Sequence, residues 1–305
     1  MTYEEKLAGF NDHIAGGGKV ETEDWMPDDY RRGVLKFIEM HANSEIMGAL
    51  PERECLPAAP SLQRKMSLAA KIQDEVGHSQ LLYRVAEDLG KSRDAMYADL
   101  VTGRSKFHNV FHYPVKHWGD VAIIGWLIDG AALVTQAALL DSSYAPYTRV
   151  LKRICSEEQL HLRHGEDITL ELASGTNHQR GMFQEALNRW WLPIIHFFGP
   201  KSNVERDLLL RWRVKTRTNE DLRAEFLNRY VPKVLELGFN FPAPVPFSEG
   251  GFWSVREQDI DWAPLDAVKK NAGPETARRL GWRRRMYEDH RWVREALAEP
   301  ATHAA

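Results

Sequence analysis

The feature that most constrains this chain is a duplicated arrangement of metal-ligating residue types. An acidic residue precedes a Glu-x-x-His motif by nearly the same interval in two places: Glu45, Glu75 and His78 first, then Asp129, Glu158 and His161. A single Glu-x-x-His motif is weak evidence, but its repetition with a matched acid is much stronger. A carboxylate di-metal site takes one acid from each of two helices and Glu-x-x-His from each of the other two. The pattern therefore predicts an all-α four-helix bundle with a di-metal carboxylate site.

The acidic members of this pattern lie on apolar helix faces. Hydrophobic side chains recur at helical spacing beside three of them: Val34, Ile38 and Ala42 near Glu45, Leu68, Ile72 and Leu82 near Glu75, and Leu151, Ile154 and Leu162 near Glu158. Asp129 is the only charged residue within 121–140. Buried carboxylates without partners are costly, whereas four carboxylates and two neutral imidazoles balance two divalent ions. Oxygen and imidazole ligands without cysteine favour iron or manganese over structural zinc or an iron–sulfur cluster.

Lys71 lies one helical turn before Glu75 and close to the same face. Its ammonium group could reach solvent while only its stem is buried. Alternatively, it could be a counter-charge that holds the carboxylates together when metal is absent. The sequence leaves both interpretations open.

The chain is predicted to form one domain in three parts. Residues 1–24 contain three consecutive glycines and are predicted to be a flexible N-terminal arm. Residues 25–200 show long helical patterns and are assigned to the bundle. Residues 201–305 mix helical and Pro/Gly/aromatic-rich stretches, which predicts a helical and irregular extension packed on the bundle.

Charge and cysteine content exclude several classes of function. The net charge of −3 gives no indication of binding to nucleic acid or to an anionic membrane. Two cysteines and no basic-then-apolar leader suit a reducing compartment, so a cytoplasmic location is expected. The apolar run at 121–140 contains Asp129 and Gln136, which favours a buried core helix over a membrane span.

At these motifs the chain resembles the catalytic (alpha) subunits of ring-1,2-phenylacetyl-CoA epoxidases, which are bacterial multicomponent di-iron monooxygenases. The resemblance is carried by stretches that include the ligand motifs: WMPDDYR (25–31), HANSEIMGALPE (41–52), AKIQDEVGH (70–78), GWLIDGAALVTQAAL (125–139) and YAPYTRVLKRICSEEQLHLRHG (144–165). Ferritins and ribonucleotide reductase small subunits usually have Glu where this chain has Asp129.

The resemblance implies a ferritin-like bundle that holds two iron ions on the six residues of the duplicated pattern. It implies that the reduced centre activates O2 and forms the ring 1,2-epoxide of phenylacetyl-CoA, with the second oxygen atom leaving as water. It also implies a catalytic-site lysine that spans carboxylates, matched by Lys71 with Glu52. Basic residues that face CoA would correspond to Lys36, Lys106 and Lys215.

The chain has neither a Gly-rich dinucleotide fingerprint nor a cysteine cluster, so electrons are expected from another protein. The resemblance implies a separate reductase that carries FAD and an iron–sulfur cluster and oxidises NADPH. Two further partners are implied: a small bridging subunit, and a homologous structural subunit that is metal-free. The alternatives are a related di-iron oxygenase acting on another aromatic or acyl-CoA thioester, and a non-catalytic iron-storage or structural protein. Retention of all six ligand positions disfavours a purely structural role, and the C-terminal hundred residues disfavour iron storage.

Overall fold

The computed structural model describes residues 1–298, which form an all-α protein, as predicted. No strand occurs within this range, and its only β-type pairs are two isolated bridges. The helices are α1 (Tyr3–Ala15), α2 (Asp28–Cys55), α3 (Leu62–Glu87), α4 (Arg93–Val101), α5 (Trp118–Ile123), α6 (Asp129–Leu139), α7 (Ala145–Ser174), α8 (Asn177–Phe197), α9 (Leu208–Arg211), α10 (Asn219–Glu236), α11 (Ala263–Lys269), α12 (Thr276–Asp289) and α13 (Arg291–Ala298).

The bundle is formed by α2, α3, α7 and the continuous helix that runs from α5 into α6. A π turn, Ile124–Ile128, joins α5 to α6. The backbone N–H of Asp129 donates to the carbonyl of Ile124, five residues earlier, so Asp129 begins α6 directly after the wide turn. Wide turns of this type often mark functional positions in helices.

The continuous helix Trp118–Leu139 is long and apolar enough to cross a membrane by length and composition alone. In the structure, 78% of its most apolar window is buried inside the protein. Core helices pass the same test, and this burial agrees with the prediction of a core helix.

A polar layer divides the bundle into two apolar cores. On α3, Leu68 belongs to one core and Leu82 to the other. On α7, Ile168 and Ile154 are divided in the same way. The Glu-x-x-His motif of each helix lies between its two core residues, so the fold places both motifs at the same level.

Two glycines allow α7 and the helix that contains the π turn to meet backbone to backbone. A Cβ atom on Gly165 would lie 2.0 Å from the carbonyl carbon of Gly125. No side chain larger than hydrogen fits at this distance without moving one helix. The contact therefore sets how closely the helix of Asp129 approaches the helix of Glu158.

The prediction of a flexible arm at 1–24 differs from the structure, because this segment contains α1. Phe10 and Ile14 of α1 are buried, and the Phe10 ring lies 5.1 Å from Tyr30 and 6.4 Å from Trp212. The glycine triplet forms only the turn after α1. Burial of these side chains against distant aromatic residues orders the segment.

The C-terminal extension packs on the bundle over the part that the structure describes. Tyr230 of α10 packs edge-to-face on Trp126, with ring centres 6.1 Å apart. Buried Arg279 of α12 donates to the Glu54 carboxylate at 3.2 Å and ties the extension to α2. The alanine-rich tail, 299–305, lies outside the described residues.

Candidate metal centre

The structure brings all six predicted ligands together in the buried polar layer. Their potential ligand atoms form two overlapping groups, in each of which these atoms lie within 4.8 Å of one another: Glu45, Glu75, His78 and Glu158 in the first, and Asp129, Glu158 and His161 in the second. Glu158 is the one residue common to both groups. The two groups could hold metal ions.

Each motif histidine is supported by the acid that immediately precedes the glutamate of the opposite motif. His78 Nε2 donates to Glu157 Oε2 at 2.8 Å, and His161 Nε2 donates to Asp74 Oδ2 at 3.0 Å. Glu157 and Asp74 immediately precede the glutamates of the two motifs, so the support runs crosswise between α3 and α7. Such carboxylates fix the tautomer and ring orientation of a metal-bound histidine.

These contacts leave Nδ1 of both imidazoles facing the carboxylates. His78 Nδ1 lies 3.4 Å from Glu158 Oε1, and His161 Nδ1 lies 3.2 Å from Glu158 Oε2. With the proton on Nε2, each Nδ1 carries a lone pair directed at anionic oxygens, and His78 Nδ1 is buried without a hydrogen-bond partner. Lone pairs and carboxylates that face one another are favourable only with a proton or a metal cation between them, and the residues therefore fit a metal.

The pKa values show how crowded the carboxylates are when no metal ion is bound. Burial raises the pKa of Glu75 well above its ordinary value, and the neighbouring Glu158 and Glu45 carboxylates raise it further. Burial would lower the pKa of His78, but the nearby Glu158 and Glu45 carboxylates outweigh this and raise it to about 10. Without a metal ion, this crowding therefore favours the protonated forms of Glu75 and His78.

Lys71 does not reach solvent. Its side chain is 4% exposed, and Nζ lies 2.5 Å from both Glu52 Oε1 and Asp129 Oδ2. Burial opposes its charge, but the Asp129 and Glu52 carboxylates hold the pKa of the ammonium well above its ordinary value. Of the two interpretations that the sequence left open, the geometry supports the counter-charge.

A cavity of about 280 Å³ adjoins the polar layer. Four of the predicted ligands line it: Glu45, Glu75, Asp129 and Glu158. The remaining wall is largely aromatic and aliphatic, and its rings come from Phe37, Phe111, Tyr147, Phe197 and Phe198. A second, polar part of the wall is the segment between α9 and α10 that contains Lys215 and Arg217. The cavity can place an apolar group beside the carboxylates and a charged group beside basic side chains.

The three lysines expected to face CoA occupy different positions. Lys215 lines the cavity, and its Nζ lies 2.7 Å from Asp207 Oδ2. Lys36 and Lys106 are exposed and do not line the cavity, although their near neighbours Phe37 and His108 do. The structure thus brings one of the three to the site.

Sequence reasoning missed several residues of the centre. Asp74 and Glu157 were detectable as an acid that precedes each motif glutamate, which makes the repeated pattern acid-Glu-x-x-His. His41 belongs to no spacing motif, but its Nε2 lies 2.8 Å from Glu45 Oε1. Burial opposes ionisation of Glu45, but the hydrogen bond from His41 and the proximity of His78 hold its pKa well below the ordinary value.

The comparisons with known proteins agree with this geometry. The family model described as "Phenylacetic acid catabolic protein" matches residues 3–292. The chain is also 41% identical over 298 residues to one of the subunits of the 1,2-phenylacetyl-CoA epoxidase of Escherichia coli (strain K12), and the match covers 97% of this chain and 96% of that protein. The chain therefore belongs to the phenylacetic acid catabolic protein family.

Proposed function

We propose that this protein is the catalytic subunit of a cytoplasmic multicomponent monooxygenase that epoxidises the aromatic ring of phenylacetyl-CoA at C1–C2 during phenylacetate degradation. The reaction consumes O2, NADPH and a proton, and it yields the ring epoxide, water and NADP⁺. The observation that carries this proposal is the largely apolar cavity, which shares four carboxylates with the candidate metal centre. The E. coli relative, whose name assigns it to an epoxidase for this thioester, supports the substrate.

Two iron ions are the proposed resident metals, held by the six residues of the two ligand groups. Bound iron would supply the electron transfer to O2 and the oxidising power that ring epoxidation needs. The oxygen and imidazole donors suit iron, and no cysteine is among them. Glu158 would serve both ions because it belongs to both groups.

The other polar residues of the centre hold these ligands in place. Glu157 and Asp74 fix the two imidazoles with Nδ1 directed inward. Lys71 neutralises part of the negative charge and joins Asp129 to Glu52. Such support is needed because a ligand set must keep its geometry while the charge of the centre changes.

The cavity binds and orients the substrate in this proposal. The aromatic wall would hold the phenyl ring and exclude water from the carboxylate end. Lys215 and Arg217 would meet phosphate groups of CoA, since guanidinium and ammonium groups are strong phosphate partners. Both basic groups already pair with acids, Lys215 with Asp207 and Arg217 with Glu225, so phosphate would have to exchange with these carboxylates.

The proposed partners are a reductase that carries FAD and an iron–sulfur cluster, a small bridging subunit, and a homologous structural subunit that is metal-free. Among residues 1–298 there is no strand on which a dinucleotide site of the usual kind could be built, which supports an external source of electrons. The name of the E. coli relative designates it as one subunit of an enzyme.

The experiment that tests the proposal is turnover of the reconstituted complex under ¹⁸O2. The iron-loaded chain is combined with its co-expressed partner subunits, a cognate reductase, NADPH and phenylacetyl-CoA, and the thioester product is analysed by mass spectrometry. We expect one ¹⁸O atom in a ring epoxide, and loss of this product with the Glu158→Gln variant. A product only from another acyl-CoA would overturn the substrate assignment. Product formation by the metal-free complex would overturn the role of the centre.

A further inference from the structure

We propose that His41 is a positioning residue that, together with Tyr147, holds one oxygen of Glu45 away from the metal centre. The inference rests on the metal-binding part of the proposed function. His41 precedes Glu45 by one turn of α2, and Tyr147 lies in the first turn of α7. All three side chains line the cavity.

The three side chains form a directed chain of hydrogen bonds. His41 Nε2 lies 2.8 Å from Glu45 Oε1, and His41 Nδ1 lies 2.7 Å from the Tyr147 hydroxyl. An ionised carboxylate only accepts, so the proton of the imidazole belongs on Nε2. Nδ1 then accepts from the hydroxyl of Tyr147. The amide of Gln136, at 3.5 Å from Nε2, is too distant to compete with Glu45.

Tyr147 restrains the end of this hydrogen-bond chain that is farther from Glu45. Its side chain is fully buried, and His41 is the one hydrogen-bond partner found for its hydroxyl within the described part of the chain. A buried hydroxyl without a partner is unfavourable, so this bond restrains the imidazole ring. The ring plane of His41 is nearly perpendicular to that of Tyr147, at 87°, with centres 5.9 Å apart.

The hydrogen bond from His41 determines which oxygen of Glu45 remains available to bind a metal. Oε1 is engaged by His41, whereas Oε2 faces the centre and lies 3.6 Å from His78 Nδ1. The hydrogen bond therefore favours coordination of a metal through one oxygen of Glu45 over coordination through both. A carboxylate that binds through one oxygen would occupy one coordination position fewer than a carboxylate that binds through two. His41 thus sets how much space remains beside the metal for a reactant.

Titration with Co²⁺ tests this role without turnover. The full chain is prepared free of metal in four variant forms besides wild type: His41→Leu, His41→Gln, Tyr147→Phe and the control His196→Gln. Gln retains an N–H donor, and His196 is a buried histidine bonded to a backbone carbonyl outside the cavity wall. Circular dichroism tests whether each variant is folded, and the visible d–d absorption and the Co²⁺ affinity are measured.

We expect His41→Leu to bind Co²⁺ about 10- to 100-fold more weakly at one site, as is typical when a supporting partner of a ligand is lost. We also expect its d–d absorption to fall, because a metal that gains the second oxygen of Glu45 gains a ligand. His41→Gln should restore most of the signal, Tyr147→Phe should lie between, and His196→Gln should match wild type.

Three results would overturn the inference. An unchanged spectrum and affinity in His41→Leu, with two Co²⁺ bound as in wild type, would show that His41 does not position Glu45 and would leave the proposed function intact. Failure of wild type to bind Co²⁺ would reject the metal centre itself. If His41→Leu does not fold, the Tyr147→Phe spectrum decides: a change supports the inference and a wild-type spectrum refutes it.

Discussion

Glu158 should matter more for metal binding than any other ligand, because it is the only residue common to both ligand groups. Glu158→Gln leaves neither group complete, whereas Asp129→Asn leaves the four-residue group intact. An ion that binds only the folded state stabilises it by about 4 kcal/mol when its free concentration is roughly 1,000-fold above Kd. Two ions would therefore add about 8 kcal/mol to the free energy of unfolding of wild type, and one ion about 4 kcal/mol to that of Asp129→Asn.

The assay is thermal unfolding of each variant with chelator and with saturating Fe²⁺ under anaerobic conditions. The difference between these two conditions removes the effect of the substitution on the metal-free protein. At roughly 2 °C per kcal/mol for a chain of this size, wild type should gain about 16 °C and Asp129→Asn about 8 °C. Glu158→Gln should gain less than Asp129→Asn and should bind less iron. A gain for Glu158→Gln that equals or exceeds that of Asp129→Asn would refute the shared role of Glu158.

Three further predictions concern the surroundings of the centre. Lys71→Met leaves buried acids without their counter-charge and should lower the free energy of unfolding of the metal-free protein by about 3–5 kcal/mol, as measured by urea titration. The loss should be smaller after metal loading. Equal losses with and without metal would contradict the counter-charge role of Lys71. Gly165→Ala should destabilise the protein by about 1–3 kcal/mol or more in the same titration, because the added methyl group overpacks the helix contact. The control is Gly181→Ala on α8, where a Cβ atom meets nothing within 4 Å. This substitution should be neutral or stabilising. Lys215→Glu should weaken binding of a CoA thioester by about tenfold or more, as measured by calorimetry, because Lys215 lines the cavity. Lys36→Glu, outside the cavity wall, should change the affinity little. Equal effects of the two substitutions would show that Lys215 does not contact the CoA phosphates.

The sequence was most informative where residue type and spacing together carry chemistry. Glu75 and Glu158 could be placed together because each sits in a Glu-x-x-His motif on an apolar helix face, and such a face must turn inward. The burial of Lys71 could not be decided in this way, because a lysine stem fits the same face whether or not its ammonium reaches solvent. Only the positions of Glu52 and Asp129 distinguish the two cases.

The features that sequence reasoning missed depend on contacts between distant segments. The role of His41 becomes visible only when Tyr147 is known to lie beside it. The order of α1 depends on burial of Phe10 against Trp212, about two-thirds of the chain away, whereas the local signal was a glycine triplet. Asp74 and Glu157 resemble ordinary surface acids on a helix until the opposite histidine is in place.

Because of the π turn before Asp129, side chains on the two sides of this turn do not point in the directions that one regular α-helix would give them. Side chains before Ile124 and side chains from Asp129 onward do not follow a single 100° progression, because the wide turn contains an additional residue. If the same residues formed a regular α-helix, Asp129 and every later side chain would be rotated by about 100° relative to the side chains before Ile124. Such a regular helix would carry Asp129 away from Lys71 and Glu158 although every ligand residue was retained. For this segment the backbone conformation therefore constrains the site as strictly as the identity of its residues does.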